Sequence, residues 1–118
     1  MAAITVYGIP NCDTIKKTLD WFKKQKIEVE FWDYKTKGIT KQKLKDWCKQ
    51  AGWEILVNKK STTWRSLSLP EQEKITSQPG AIRLMIENTS IIKRPVVEYG
   101  YNIFIGFDEE KFSKQFLK

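Results

Sequence analysis

The first 33 residues constrain the fold more than any other stretch of the chain. Ile4, Val6 and Tyr7 form a short apolar run that Gly8, Pro10 and Asn11 bring to an end. Ile15, Leu19 and Phe22 then recur at helical spacing, with Trp21 beside them and lysines on the opposite face. Val29, Phe31 and Trp32 follow Lys26 as a second short strand. Strand, helix and strand at this spacing make a βαβ unit, for which parallel strands and a right-handed crossover are expected. The loop after the first strand of such a unit is where α/β folds place their chemistry.

That loop contains Cys12, at the point where the amphipathic helix begins. The unpaired N–H groups and dipole of a helix start favour thiolate over thiol, and the thiolate is the nucleophilic form. Asp13 opposes this, because a like charge disfavours the thiolate, whereas Lys16 and Lys17 in the first turn favour it. The stretch Cys12-Asp13-Thr14-Ile15 has no second cysteine two residues on. An oxidised intermediate at Cys12 must therefore be cleared by an outside thiol or by Cys48. Cys48 shares a helical face with Leu44 and Trp47 and reads as buried core.

The middle of the chain reads as helical. Thr40 can cap a helix with Leu44, Trp47, Cys48 and Ala51 on its apolar face, closed by Gly52. Ser68-Leu69-Pro70-Glu71 is a capping box with proline in the first turn. Pro79 can open another helix, with Ile82, Met85 and Ile86 facing inward, and the polar segment 58–65 between these helices reads as a loop. Val96-Val97-Glu98 and Ile103-Phe104-Ile105 flank Tyr99-Gly100-Tyr101-Asn102 as a hairpin. Asp108 then caps a last helix with Phe112 and Phe116 on one face. The order βαβ, helical block, ββα predicts an α/β, thioredoxin-like fold with an inserted helical block. The core is expected over about residues 1–36 and 90–118, and the insertion over about 38–89, within a single domain of 118 residues.

Composition narrows the function classes. Hydrophobic residues make up 41% of the chain, enough for a packed core, and no apolar run approaches the roughly 20 residues that span a bilayer. The N-terminus lacks the charged start and apolar block of a signal peptide, so the expected location is cytoplasmic, with reduced cysteines. There is no histidine, and two cysteines 36 positions apart cannot make a thiolate zinc site alone; neither a metal nor a tightly bound cofactor is expected. The net charge of +7 comes from lysines scattered over helix faces. No helix concentrates arginines along one face, which argues against direct nucleic-acid binding. A monomer is the expectation for a chain of this size.

Two arginines stand out beside the cysteine. Arg65 closes the polar stretch Thr62-Thr63-Trp64-Arg65, and Arg94 precedes the proline that opens a strand in Ile91-Ile92-Lys93-Arg94-Pro95. A guanidinium is a planar fork of donors that fits oxyanions and carboxylates and stays charged at any working pH. The Arg94-Pro95 bond, at a strand start, is also a candidate cis peptide.

Asn11-Cys12-Asp13-Thr14-Ile15-Lys16-Lys17, Gly52-Trp53-Glu54, Asn58, Thr62-Thr63-Trp64-Arg65 and Ile91-Ile92-Lys93-Arg94-Pro95, in that order over nearly the whole chain, resemble the ArsC/Spx family, and most closely its YffB-like branch. The resemblance implies a thioredoxin-like fold with a helical insertion. It implies Cys12 as nucleophile, Arg65 and Arg94 as holders of oxyanion or thiol-adduct intermediates, and Pro95 as the family's cis-proline. Asn11, Thr14, Lys16 and Pro95 are then the thiol- or anion-binding positions. Arsenate reductases of this family carry a third arginine just after the last strand, where this chain reads Ile105-Gly106-Phe107-Asp108. Oxidant-sensing Spx regulators carry a second cysteine where Ile15 stands. The implied function is a reductase acting on an oxidised substrate with glutathione or another low-molecular-weight thiol as co-substrate. The alternatives are an Spx-type regulator that binds RNA polymerase, or an arsenate reductase.

Overall fold

The computed structural model describes residues 3–117. The chain divides into two compact units, one formed by residues up to Asp33 and from Arg94 onward, the other by Tyr34–Lys93.

The first unit opens with β1 (Ile4–Gly8), followed by α1 (Asp13–Lys24) and β2 (Glu30–Asp33). β1 and β2 run parallel, with Val6 opposite Phe31 and Tyr7 opposite Trp32. The second strand thus starts one residue later than the apolar pattern suggested, leaving Val29 just outside it. After the helical segment the chain returns as β3 (Val96–Tyr99) and β4 (Asn102–Ile105), antiparallel to one another, with β3 antiparallel to β1. The sheet order is β2-β1-β3-β4. Gly100 opens the two-residue turn of the hairpin at φ +62°, a conformation that glycine adopts without steric cost. These elements, completed by a terminal helix, form the thioredoxin-like arrangement in an α/β fold.

The interior strands β1 and β3 are apolar where they face their neighbours: Val6, Tyr7, Val96 and Val97 are all buried. α1 covers the sheet with Ile15, Trp21 and Phe22; of the periodic positions Ile15, Leu19 and Phe22, Leu19 is only half-buried. Asp13 in its first turn and Lys23 and Lys24 in its last complement the helix dipole. The terminal helix, Glu109–Phe116, starts where the Asp108 carboxylate accepts from the Lys111 backbone N–H at 3.1 Å. Its Phe112 meets Phe22 with ring centroids 5.6 Å apart, and Trp21 edge-on at 5.5 Å. These aromatic pairs tie the first and last helices into one core.

The second unit contains six helices: α2 (Tyr34–Lys37), α3 (Lys41–Ala51), α4 (Trp53–Leu56), α5 (Thr62–Ser66), α6 (Leu69–Glu73) and α7 (Gln78–Glu87), with the terminal helix of the first unit then α8. A 3₁₀ turn at Thr89–Ile91 follows α7. The Thr40 hydroxyl caps α3 by accepting from Lys43 N–H at 3.1 Å, and the capping box at Ser68 is complete. Leu44, Trp47, Leu56, Met85, Ile91 and Ile92 are fully buried, and Tyr34 donates its hydroxyl to the Ile92 carbonyl at 3.4 Å.

Two expectations for this unit are corrected. Segment 58–65 is not all loop. Ser61 accepts from Trp64 N–H at 3.1 Å and starts α5, and the burial of Trp64 anchors that turn. One buried indole suffices where the sequence shows no amphipathic repeat, which is why the helix was illegible by period. Ile86 does not face inward but is 41% exposed. Ala81, Ile82, Leu84 and Met85 form the buried stripe of α7, and Ile86 lies past its edge.

Candidate active site

Cys12 ends the β1–α1 loop and occupies the N-cap position of α1, at φ −117° and ψ 125°. Its carbonyl accepts the first helical hydrogen bond from Lys16 N–H at 2.9 Å. Two local features bring the sulfur here. Gly8, at the end of β1, is buried against the Ile15 side chain, and a Cβ on it would lie 2.8 Å from Ile15 Cγ1. A larger residue here would push the Ile15 side chain aside. Asn11 then turns the chain at φ +60°, a left-handed conformation that asparagine tolerates better than most residues. Within the helix, buried Thr18 donates its hydroxyl to the Thr14 carbonyl at 2.7 Å, tying down the first turn.

Cys12 is half-buried, and its side chain closes no capping hydrogen bond. Burial alone pushes the thiol up. The Ile15 backbone N–H, a hydrogen bond from the Arg94 side chain, the Thr14 backbone N–H and the Arg94 charge act against it and outweigh it. The thiol is held below its ordinary value, because each of these groups favours the charged sulfur. Cys48 differs: it is buried in α3, and burial followed by the Glu54 charge pushes its thiol up.

The expected site residues distribute as follows. Asn11, Cys12, Thr14 and Lys16 sit together at the α1 start, Asn11 and Lys16 exposed and Thr14 half-buried. Arg94, half-buried, reaches the Cys12 sulfur from the residue before Pro95, and the Arg94–Pro95 bond is cis. Pro95 is itself buried, and its carbonyl accepts from Gly106 N–H at 2.9 Å across the hairpin. Arg65 is exposed in the last turn of α5, in the Tyr34–Lys93 unit. Among the described residues no group of His, Cys, Asp and Glu side chains could hold a metal ion. Nor is any helix long and apolar enough to cross a membrane.

One feature of the site was not legible as functional in the sequence. A groove of about 470 Å³ opens beside Cys12, walled by Pro10, Ile15, Leu19 and Phe31 and rimmed by Lys16 and Asp20. Leu19 and Phe31 follow the periodicity of core residues, yet both are only half-buried. Periodicity identifies a face without telling how completely a neighbour covers it.

Comparison with known proteins places this arrangement. The chain is 42% identical to an uncharacterized protein of Haemophilus influenzae over 96% of its own length and 98% of the relative's. It is 26% identical to the global transcriptional regulator Spx of Streptococcus agalactiae, over 92% of this chain and 79% of that one. A solved structure of a YffB protein superposes with a TM-score of 0.90 at 36% identity, covering 95% of this chain and 97% of the other. Residues 7–115 match the model of the ArsC family, a span that includes Cys12, Arg65, Arg94 and Pro95, and this chain belongs to that family.

Proposed function

We propose that this protein is a thiol-dependent reductase in which Cys12 is the nucleophile and glutathione or another low-molecular-weight thiol is the co-substrate. The observation that carries this reading is the placement of Cys12 at the N-cap of α1, beside the helix-start amides and the Arg94 side chain, in a chain of the ArsC family. The Cys12 thiolate attacks one sulfur of an oxidised substrate R–S–S–R′, forming Cys12–S–S–R and expelling R′–S⁻, which takes up a proton. A small thiolate then attacks the R sulfur, forms a new disulfide with R and returns Cys12 as thiolate. The R′ half of the substrate is reduced to a thiol, and the small thiol is oxidised into the product disulfide with R. Arg94 and Lys16 bind carboxylates of the small thiol, while Asn11, Thr14 and Pro95 line its seat at the sulfur; the family resemblance adds Arg65 as a further anion-binding position.

The test is mass spectrometry of the protein after treatment with oxidised small thiols, glutathione disulfide among them. Adducts on Cys12 and none on Cys48 are expected, and the adduct mass names the co-substrate. Cys12→Ser retaining full disulfide-reductase activity with small thiols sinks the mechanism.

A second reading, an Spx-type regulator acting through RNA polymerase, draws on the likeness to Spx over 92% of the chain. Stoichiometric capture of RNA polymerase, insensitive to alkylation of Cys12, favours it over the reductase. Arsenate reduction, the third reading, requires arsenate-dependent oxidation of a thiol and fails where none is detected.

A further inference from the structure

Thiol–disulfide exchange has a directional demand. The attacking lone pair enters the antibonding orbital of the S–S bond, so the three sulfurs line up and the retained and expelled halves leave the reacting centre in different directions. A site for a disulfide therefore needs two recesses at its cysteine.

The sheet order β2-β1-β3-β4 supplies two flanks, because β1, which leads into Cys12, has β3 on one side and β2 on the other. Arg94, next to the start of β3, gives one flank a cation at the sulfur. The groove opens along α1 toward Phe31 of β2. Its charged lining is net negative, with Lys16 alone against Asp13 and Asp20, while its wall is Pro10, Ile15, Leu19 and Phe31. The cationic flank suits the carboxylates of a small anionic thiol. The groove offers such an anion no net attraction, and its apolar wall suits an uncharged side chain. Its volume of about 470 Å³ lies within the range of small-ligand pockets, with room for a short peptide segment.

We propose that this groove is the leaving-group subsite, and that the oxidised substrate is a peptide or protein cysteine, disulfide-bonded to the small thiol, with an apolar residue beside it. The proposal rests on the reductase reading. Cys12 thiolate attacks the small-thiol sulfur, a Cys12–small-thiol disulfide forms, and the peptide leaves as thiolate and is protonated. A second small thiol then releases Cys12 and forms the symmetric small-thiol disulfide, so the peptide cysteine is reduced and that second thiol is oxidised, the first having entered already oxidised in the mixed disulfide.

Two probes decide it: glutathione mixed disulfides of the blocked dipeptides acetyl-Phe-Cys-amide and acetyl-Ser-Cys-amide, each presented to the full chain. The rate of peptide thiol release is expected to be about tenfold higher for the Phe probe, the low end of what a hydrophobic pocket discriminates. In Leu19→Asn, and separately in Phe31→Ser, that ratio should fall toward one. Because the ratio compares two substrates on one protein, a change in the amount of folded protein cancels. Equal rates for the two probes in the wild-type protein overturn the groove assignment and leave the reductase reading standing. Release of neither peptide, with no Cys12 adduct, overturns both.

Discussion

The two units of this protein have opposite characters. The Tyr34–Lys93 unit carries 12 lysines and arginines against 5 acidic residues, whereas the remainder carries 9 against 9, so the whole net charge of +7 belongs to the helical unit. All six phenylalanines belong to the other unit, whose core is built from tilted and edge-on rings. Each unit has one cysteine. Cys12, in the unit with no net charge, is held below the ordinary thiol value; Cys48, in the strongly cationic unit, is pushed above it. Overall charge therefore does not determine which sulfur is reactive. Two backbone amides and one guanidinium aimed at Cys12 outweigh its burial, while lysines on exposed helix faces, screened by water and salt, do not rescue Cys48 from its own.

The largest expected effect tests this contrast directly. Cys12→Ser should lower disulfide-reductase turnover by about 10⁴-fold or more, the scale on which enzymes lose activity with their nucleophile. Cys48→Ala should leave turnover within about twofold of wild type, since that sulfur is buried and its thiolate disfavoured. Comparable losses in both variants would mean that Cys48 takes part in turnover. A smaller effect comes from the seat of Cys12. Gly8→Ala forces Ile15 to shift away from β1, at a cost of about 1–3 kcal/mol for overpacking, measured by urea denaturation. The same variant should slow Cys12 alkylation, because Ile15 supplies one of the amides that favour the thiolate.

The two units also differ in how much of them was legible in the sequence. In the first, strong periods and turn residues marked every element, and the cysteine at the helix start was visible as a candidate nucleophile. In the second, the capped helices at Thr40 and Ser68 were legible because side chain and spacing act together within one turn. α5 was not, since a five-residue helix is too short to show a period and depends on the burial of Trp64. Within the site, Arg94 stood out as a cation beside a proline, but its reach to a sulfur 82 positions away is a property of the β1–β3 pairing. The groove was hidden for the opposite reason: Leu19 and Phe31 look like core residues at every level of local pattern.

The contrast between the cysteines sharpens further with pH. The rate of Cys12 alkylation by iodoacetamide should rise through a midpoint below that of an ordinary thiol, and Cys48 in the folded protein should titrate above it. Arg94→Gln removes both the side-chain hydrogen bond and the charge that favour the Cys12 thiolate, so its midpoint should move up while that of Cys48 stays put. A midpoint unmoved by Arg94→Gln would leave the helix-start amides alone responsible for the shift.

The smallest effect compares the caps of the two long helices. α3 in the cationic unit is capped by Thr40, whose hydroxyl accepts from Lys43 N–H, and Thr40→Ala should cost about 1 kcal/mol. α1 in the other unit has a cysteine at the same position and no side-chain cap, although serine there can accept from the N–H groups of Thr14 or Ile15. Cys12→Ser, the variant that abolishes turnover, is therefore expected to stabilise the fold by about 0.5–1 kcal/mol at low pH. The sign of its pH dependence follows from the thiol. Because the folded value is lowered, the thiolate contributes stability that is fully present above the unfolded thiol value and is lost as pH falls through the folded one. Serine has no such titration. Its advantage should be largest where Cys12 is protonated and shrink as pH rises past the Cys12 midpoint, which paired urea melts on either side of that midpoint would resolve. A Cys12→Ser protein less stable than wild type at low pH would show that the neutral sulfur already caps α1, and the position would then serve structure and chemistry alike.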